Sequence, residues 1–315
     1  MMEPETAGDP ITGLKWTRRT TRSISEELGS LGIAVSPNTV ARLLKLFGFS
    51  LRVNRKRIPM SSPAERDGQF QYIKEQRRIF AAEQLPVVSV DTKKKELIGN
   101  FKNAGATWQQ SPIEVLDHDF RSHAQGIAVP YGVLDLQKNQ ARVLVGLSHD
   151  TAAFAVDAIA HWWTHEGRRT HAEADHLLIL ADSGGSNGAR TRAWKYELQR
   201  KLCDRFDLAV TVCHYPAGAS KWNPIDHRLF AQISRNWQGR PLDSLPTILN
   251  YIRTTTTSTG LKVKASVTRR RYLKGRKITD AQMARLDLHP HDVLPRWNYS
   301  LFPYHAPSLA RGSHR

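Results

Sequence analysis

The sequence predicts an α/β fold, a mixed sheet with flanking helices, preceded by a small all-α domain. Three observations carry that expectation. From residue 86 onward, short apolar runs bounded by turn residues alternate with stretches of helical period. Three of these elements hold an aspartate at a telling place. Asp91 ends Val87-Val88-Ser89-Val90, Asp182 ends Leu177-Leu178-Ile179-Leu180-Ala181, and Asp226 falls early in a helix opened by Asn223-Pro224. Before residue 60, by contrast, the periodicity is helical only, in two short pieces with basic flanks.

Residues 1–15 are polar, contain Gly8, Pro10 and Gly13, and read as irregular. Ile24, Leu28 and Leu31 then recur at helical spacing, and Gly32 stops the helix. Ser36-Pro37 supplies an N-cap and a first-turn proline for a second helix with the apolar face Val40, Leu43, Leu44 and Phe47. The opposite face carries Asn38, Thr39, Arg42 and Lys45. Arg18, Arg19 and Arg22 precede the pair, and Arg52, Arg55, Lys56 and Arg57 follow it. Two such helices fit a helix-turn-helix, its second helix entering a major groove and its basic flanks meeting phosphates. An ordinary helical hairpin with a solvated face has the same pattern.

A connecting helix is expected over 61–85, with Phe70, Ile73 and Phe80 on its apolar side. Strands follow at 86–91, 126–136 and 141–147, the last two joined by Gln137-Lys138-Asn139-Gln140. Next come a helix from Thr151 to about Trp163, a strand over 176–182, a helix over 190–203, a strand over 207–214 and a helix over 224–237. This β-β-β-α-β-α-β-α order is that of a ribonuclease H-like fold. The first three strands form a meander, the last two add in parallel, and helices cover both faces. The domains expected are 1–60 (helix-turn-helix), 61–85 (connecting helix), 86–240 (catalytic) and 241–315 (a basic, loop-rich extension).

Composition narrows the partners. The 315 residues hold 46 Lys and Arg against 29 Asp and Glu, a surplus of 17 positive charges that suits a polyanion such as nucleic acid. Cys203 and Cys213 match no zinc spacing and no disulfide framework, so a reducing cytoplasmic setting is expected. No apolar stretch nears the roughly 18 residues of a membrane span, and Met1-Met2-Glu3-Pro4-Glu5 lacks a signal peptide's apolar core.

Two strand-end carboxylates and one from a helix suit the chemistry of phosphodiesters. Two divalent cations roughly 3.5–4 Å apart activate an oxygen nucleophile and neutralise the leaving oxygen, and such hard cations take oxygen ligands. On a basic chain this points to an enzyme that cuts and joins DNA. Each acid has a plainer reading. Asp91 fits a strand end before a lysine-rich turn, Asp182 fits an Asx turn, and Asp226 fits the N3 position of a capping box. Asp226 shares a helix face with Phe230, Ile233 and Trp237, which aims it toward the sheet.

Longer motifs strengthen the metal reading. They are Val90-Asp91-Thr92-Lys93-Lys94-Lys95-Glu96, Asp117-His118-Asp119-Phe120, Pro130-Tyr131-Gly132, Ala181-Asp182-Ser183-Gly184-Gly185-Ser186-Asn187-Gly188, and His214-Tyr215-Pro216 leading to Ser220-Lys221-Trp222-Asn223-Pro224-Ile225-Asp226-His227-Arg228-Leu229-Phe230. With these in this order, the chain resembles the DDE transposases of bacterial insertion sequences, in particular the Rhodopirellula-type family, from about Gly8 to Pro303. It departs in three ways. Asp226 stands where the family has glutamate, Ala217 and Ala219 stand where proline and threonine are expected, and the chain begins where members carry a further helical DNA-binding segment.

The resemblance implies a transposase that binds the terminal inverted repeats of its element through residues 16–57. Asp91, Asp182 and Asp226 would then hold two Mg²⁺ ions, with Mn²⁺ as a substitute, for DNA cleavage and strand transfer. It implies a homo-oligomer on double-stranded DNA, both element ends and target, in the cytoplasm at the bacterial nucleoid and without a membrane. Lys221, His227 and Arg228 are expected near phosphates or steadying the acids, and Lys93, Lys94 and Lys95 along the DNA path. Asp117, Asp119 and Asp135 are rival acids. His161, His165, His171 and His176 tempt a zinc reading that their spacing does not favour, while Trp162 and Trp163 read as core. The alternatives are a ribonuclease H-like nuclease that cuts without joining, and an inactive DNA-binding relic. A relic would gain activity from Asp226→Glu.

Overall fold

The structure, a computed structural model, describes residues 6–8, 15–17, 19–51 and 63–304. It divides into two compact units, residues 1–58 and 59–315.

In the first unit, β1 (Thr6–Gly8) and β2 (Lys15–Thr17) pair antiparallel, where the sequence had suggested only irregular chain. Helices α1 (Thr21–Ser30) and α2 (Pro37–Leu46) follow. Thr20 and Ser36 cap them by accepting from the backbone N–H groups of Ser23 and Thr39, and Gly32, at φ 84°, supplies the left-handed residue that ends the first. The apolar face expected of α2 is corrected. Val40 is buried, as is Ile24 of α1, but Leu43, Leu46 and Phe47 are exposed. Two helices of 10 residues bury one shared seam, and among the described residues no further layer covers the rest.

The second unit opens with α3 (Pro63–Ala82), which packs against the sheet through Ile73 and Phe80 rather than merely linking domains. The strands are β3 (Val87–Thr92), β4 (Glu96–Ile98), β5 (Gly126–Asp135), β6 (Gln140–Gly146), β7 (His176–Asp182), β8 (Ala209–Tyr215), β9 (Lys262–Thr268), β10 (Leu288–Pro290) and β11 (Asn298–Leu301). They form one nine-stranded sheet in the order β10-β11-β8-β7-β3-β5-β6-β9, with β4 on β5. Strands β3, β5 and β6 are the antiparallel meander, and β7 and β8 join β3 in parallel. This is the ribonuclease H-like sheet. The C-terminal residues are more than a loop-rich extension, because β9 adds to β6 and β11 to β8, sealing both edges.

Helices cover both faces. On one lies α4 (Ala152–Trp162), prolonged by a π turn (Trp163–Gly167) and α5 (Arg168–Thr170). Beside it are α6 (Arg192–Leu198), a second π turn (Gln199–Cys203) and α7 (Asp204–Phe206). Trp162, Trp163 and Trp194 are buried in this layer. The other face carries a helix beginning at residue 224, with a π turn (Asp226–Phe230) leading into α8 (Ala231–Asn236), and then α9 (Leu245–Arg253). The short α10 (Asp280–Met283) lies near the C-terminus.

One glycine fixes how closely the helix bearing Asp226 approaches the sheet. Gly132 pairs with Asp91 across β5 and β3. A Cβ there would lie 2.8 Å from Ile225 and from Phe230, and 3.1 Å from Leu229. We expect Gly132→Ala to destabilise the protein by about 1–3 kcal/mol through overpacking, measured by urea unfolding. Unchanged stability would show that the helix can move off the strand at no cost.

Candidate active site

Asp91 and Asp182 stand side by side because β3 and β7 run parallel with Val90 opposite Ala181, and each aspartate is the next residue. Both leave the carboxyl ends of their strands, where open α/β sheets place their ligands. Burial comes first in raising Asp91, to about 8. The charge of Asp182 adds to it, with lesser contributions from Asp226 and Asp150, and a backbone hydrogen bond at Thr92 opposes it. Asp182 is pushed up to about 6, chiefly by burial and also by Asp226, against a hydrogen bond from Asn223. Burial also raises Asp226, partly offset by His227.

Asn223, fully buried, does more than begin a helix. Its Nδ2 donates to Asp182 Oδ1 at 3.1 Å and to the Val90 carbonyl at 3.3 Å, and its Oδ1 accepts from Ser89 Oγ at 2.5 Å. The side-chain cap assigned to Asn223 from sequence comes instead from β3, since the Ser89 hydroxyl accepts from the Ile225 N–H at 3.0 Å. The Asn223 carbonyl still accepts from the Asp226 N–H at 3.1 Å. No capping box forms, because no hydrogen bond from the Asp226 side chain is found among the described residues. The next five residues make a π turn, a feature often found at functional sites.

A cleft of about 720 Å³ opens over the strand ends. Asp91, Asp182, Lys94, Lys95, the Ser183–Asn187 loop and Pro216–Gly218 line it. Asp226 does not line it, although its charge bears on both other acids. Lys93 is no free cation, being buried with its Nζ 2.9 Å from Glu96 and 4.4 Å from the Trp237 ring centre. Among the described residues, no ion pair joins Asp91, Asp182 or Asp226 to a lysine or arginine.

The donors fit hard divalent cations, with a limit. No group of three His, Cys, Asp or Glu side chains among the described residues is placed to hold one ion. Any one cation would therefore take a pair of carboxylates and complete its shell with water and substrate oxygens, as Mg²⁺ commonly does. Among the described residues, two buried polar atoms here also lack partners: Asn187 Nδ2, on the cleft-lining loop, and the hydroxyl of Tyr131, which lies close enough to Asp91, Asp150 and Asp182 to feel their charge.

Asp150 escaped the sequence reading. It lines the cleft and accepts from Thr92 Oγ1 at 3.2 Å. Strand β6 runs parallel to β3, so the residues after it reach the same sheet end. Strand direction is the signal that could have found it.

The other anticipated residues scatter. Arg228 donates to Asn139 Oδ1 at 2.9 Å, in the turn beyond the opposite ends of the strands, and is not brought to the cleft. Lys221 is exposed, its Nζ 5.2 Å from the Trp222 ring centre. His227 meets the Lys221 carbonyl. Asp117 and Asp119 are exposed, and Asp135 is buried against His171 at 2.7 Å. The remaining histidines take other partners: His161 lies beside Arg142, His165 reaches the His161 carbonyl, and His176 meets Thr211. Of the DNA-contact set, Asn38, Arg42 and Lys45 are exposed on α2, Thr39 is half-buried, and Arg19 pairs with Glu27. Arg18, Arg55, Lys56 and Arg57 lie outside the described residues.

The family described as the Rhodopirellula transposase DDE domain matches residues 1–303. None of the curated proteins matches the chain. Among solved structures, it is similar to a Mos1 transposase paired-end complex with left transposon end, at 15% identity and a TM-score of 0.45, over 74% of this chain and 65% of that one. A mariner Mos1 paired end complex with Mg matches at 16% and 0.45, over 74% and 65%. The Mos1 strand transfer complex matches at 16% and 0.44, over 74% and 64%. The chain thus spans a little under two thirds of these structures' length.

The crowded carboxyls make stability depend on pH. A carboxyl whose folded pKa lies above its unfolded value binds more protons when folded, so stability falls as pH rises between the two. For Asp91 that window runs from 3.8 to about 8. In EDTA, Asp91→Asn should therefore be more stable than the parent at pH 8, by at least about 1.4 kcal/mol, the equivalent of one pH unit. The difference should vanish near pH 4. Parallel unfolding curves at both pH values would refute the raised carboxyl.

Proposed function

The chain belongs to the Rhodopirellula transposase DDE domain family, and from that premise we propose that it is a DNA transposase whose catalytic carboxylates are Asp91, Asp182 and Asp226. The observation that carries this reading is the pair of half-buried, strand-end carboxylates held side by side in an open cleft, without a cationic partner among the described residues. Such a pair is costly to keep ionised unless positive charge is supplied. Two Mg²⁺ ions, or Mn²⁺ in their place, would be held by Asp91, Asp182 and Asp226, and would activate an oxygen nucleophile and offset charge at the phosphate.

The chain's own residues supply position. Asn223 fixes one oxygen of Asp182, and Ser89 fixes both Asn223 and the start of the helix that carries Asp226. Gly184 and Gly185 leave the cleft edge without side chains, so a DNA backbone can approach the strand ends closely. In this reading the first reaction hydrolyses a phosphodiester at each element end. The freed 3′-hydroxyl then attacks a phosphodiester of target DNA. The nucleophiles are water and that hydroxyl, so no covalent protein–DNA bond forms.

Residues 16–57 would recognise the terminal inverted repeats, with Asn38, Thr39, Arg42 and Lys45 of α2 facing the major groove. Pairing of two ends calls for a homo-oligomer on DNA. Among the described residues no helix is long and apolar enough to cross a membrane.

The purified protein should cut labelled ends of its element and join them to target DNA in Mg²⁺ or Mn²⁺, but not in EDTA. Asp91→Asn and Asp182→Asn should each lower cleavage more than about a hundredfold, the loss of roughly 2.7 kcal/mol of transition-state stabilisation, while end binding persists in a gel-shift assay. Cutting without joined products would favour a nuclease. Binding without cutting by the parent protein would favour an inactive relic.

A further inference from the structure

Beyond the catalytic cleft, one strongly charged segment has no part in the reading so far. Residues 269–277, Arg-Arg-Arg-Tyr-Leu-Lys-Gly-Arg-Lys, follow β9 and hold six basic residues in nine with no acid among them. A run of this kind is commonly just a solvated face. Here its cations are sorted.

Two arginines and the aromatic hold the arm down. Arg270 reaches Asp157 at 3.0 Å, and the Tyr272 hydroxyl donates to the same carboxylate oxygen at 2.9 Å. Tyr272 is buried beside Phe154, and its backbone N–H donates to Ser148 Oγ at 3.0 Å. Arg276 pairs with the buried Glu197, and Ile278, just beyond, is buried. The other four cations, Arg269, Arg271, Lys274 and Lys277, are exposed and have no ion pair or hydrogen bond among the described residues. The backbone turns at Gly275, at φ 78°, with nothing near the position a side chain would take.

The arm's position gives this sorting a meaning. Leu273, Lys274, Gly275 and Arg276 line a groove of about 330 Å³. Asp150, Gly185 and Ser186 line both that groove and the acid cleft, so the two are continuous. Lys274 thus lines the groove that adjoins a cleft of half-buried carboxylates, and the other three exposed cations lie within five residues of it on the same anchored strap. A polyanion brought to those carboxylates meets repulsion that neighbouring cations offset.

We propose that residues 269–277 form a second DNA-gripping surface, independent of α2, which holds the sugar-phosphate backbone of a duplex at the mouth of the acid cleft through Arg269, Arg271, Lys274 and Lys277. The proposal rests on the transposase reading for its partner. Contacts of this type read no sequence. They fix where the duplex lies relative to the acids.

The test is binding of the full chain to a fluorescent 30-base-pair duplex of arbitrary sequence, by anisotropy, across a salt series. The arm variant changes Arg269, Arg271, Lys274 and Lys277 together to glutamine. A charge-matched control changes Lys74, Lys102, Lys138 and Lys262 to glutamine. Each phosphate contact contributes about 0.9 to the slope of log affinity against log salt. We expect the arm variant to lose about 2–4 from that slope and at least about tenfold in affinity at 0.1 M salt, with the control close to the parent. Because the four side chains are exposed, the variant's melting temperature should stay within about 2 °C of the parent's, and a larger drop calls for the single change Lys274→Gln, expected to lose about 0.9 in slope. Arm and control variants with the same slope would overturn the proposal while leaving the cleavage assay to judge the transposase reading. A parent protein that binds no DNA in this assay would overturn the proposal as well.

Discussion

Buried Ser89 and Asn223, with half-buried Asp182, form the polar node on which the rest of the site depends. It joins β3, β7 and the start of the helix that carries Asp226 by four hydrogen bonds. A buried amide left without partners would cost on the order of 1–3 kcal/mol, so the three elements are obliged to meet in one register. One Asn223 oxygen is fixed by Ser89, and the nitrogen that remains is aimed at a carboxylate of the site.

Around that node the protein accepts an electrostatic penalty. Burial and neighbouring carboxylates raise Asp91 and Asp182 above the ordinary carboxylate range. Similar acids elsewhere in the fold are neutralised locally: Glu166 by Arg142 and Lys264, and Glu197 by Lys201 and Arg276. The contrast matters because a structural role would favour pairing. In the proposed function, positive charge from outside meets the cluster left without cations.

The cations are deployed with the same selectivity. Lys93 is buried against Glu96 and Trp237, and Arg228 holds a distant turn. Lys94 and Lys95 stand exposed at one rim of the cleft, and the strap after β9 carries four more exposed cations, of which Lys274 lines the groove that adjoins it. The surplus of positive charge is therefore not a uniform coat.

The order of strands and helices in the second unit is legible in the residues, because apolar runs of period 2 and 3.6 are local properties of the chain. So are the three acids, which terminate or open elements and lie in motifs long enough to be specific. Other features depend on contacts between residues far apart in sequence. Ser89 rather than Asn223 caps the helix because β3 happens to present a hydroxyl there. Asp150 joins the site because β6 runs the same way as β3, a fact of topology with no motif to announce it. The edge strands β9 and β11 sat in sequence too basic or too irregular to read as sheet, and found their places only through partners already folded. Leu43 and Phe47 follow a helical period faithfully yet remain exposed, since periodicity states which face is apolar but not whether anything covers it. Sequence thus determined the elements and where along them the acids stand. Tertiary structure decided which of those residues meet, because register, strand direction and burial are set by the whole packed sheet and not by any stretch of it.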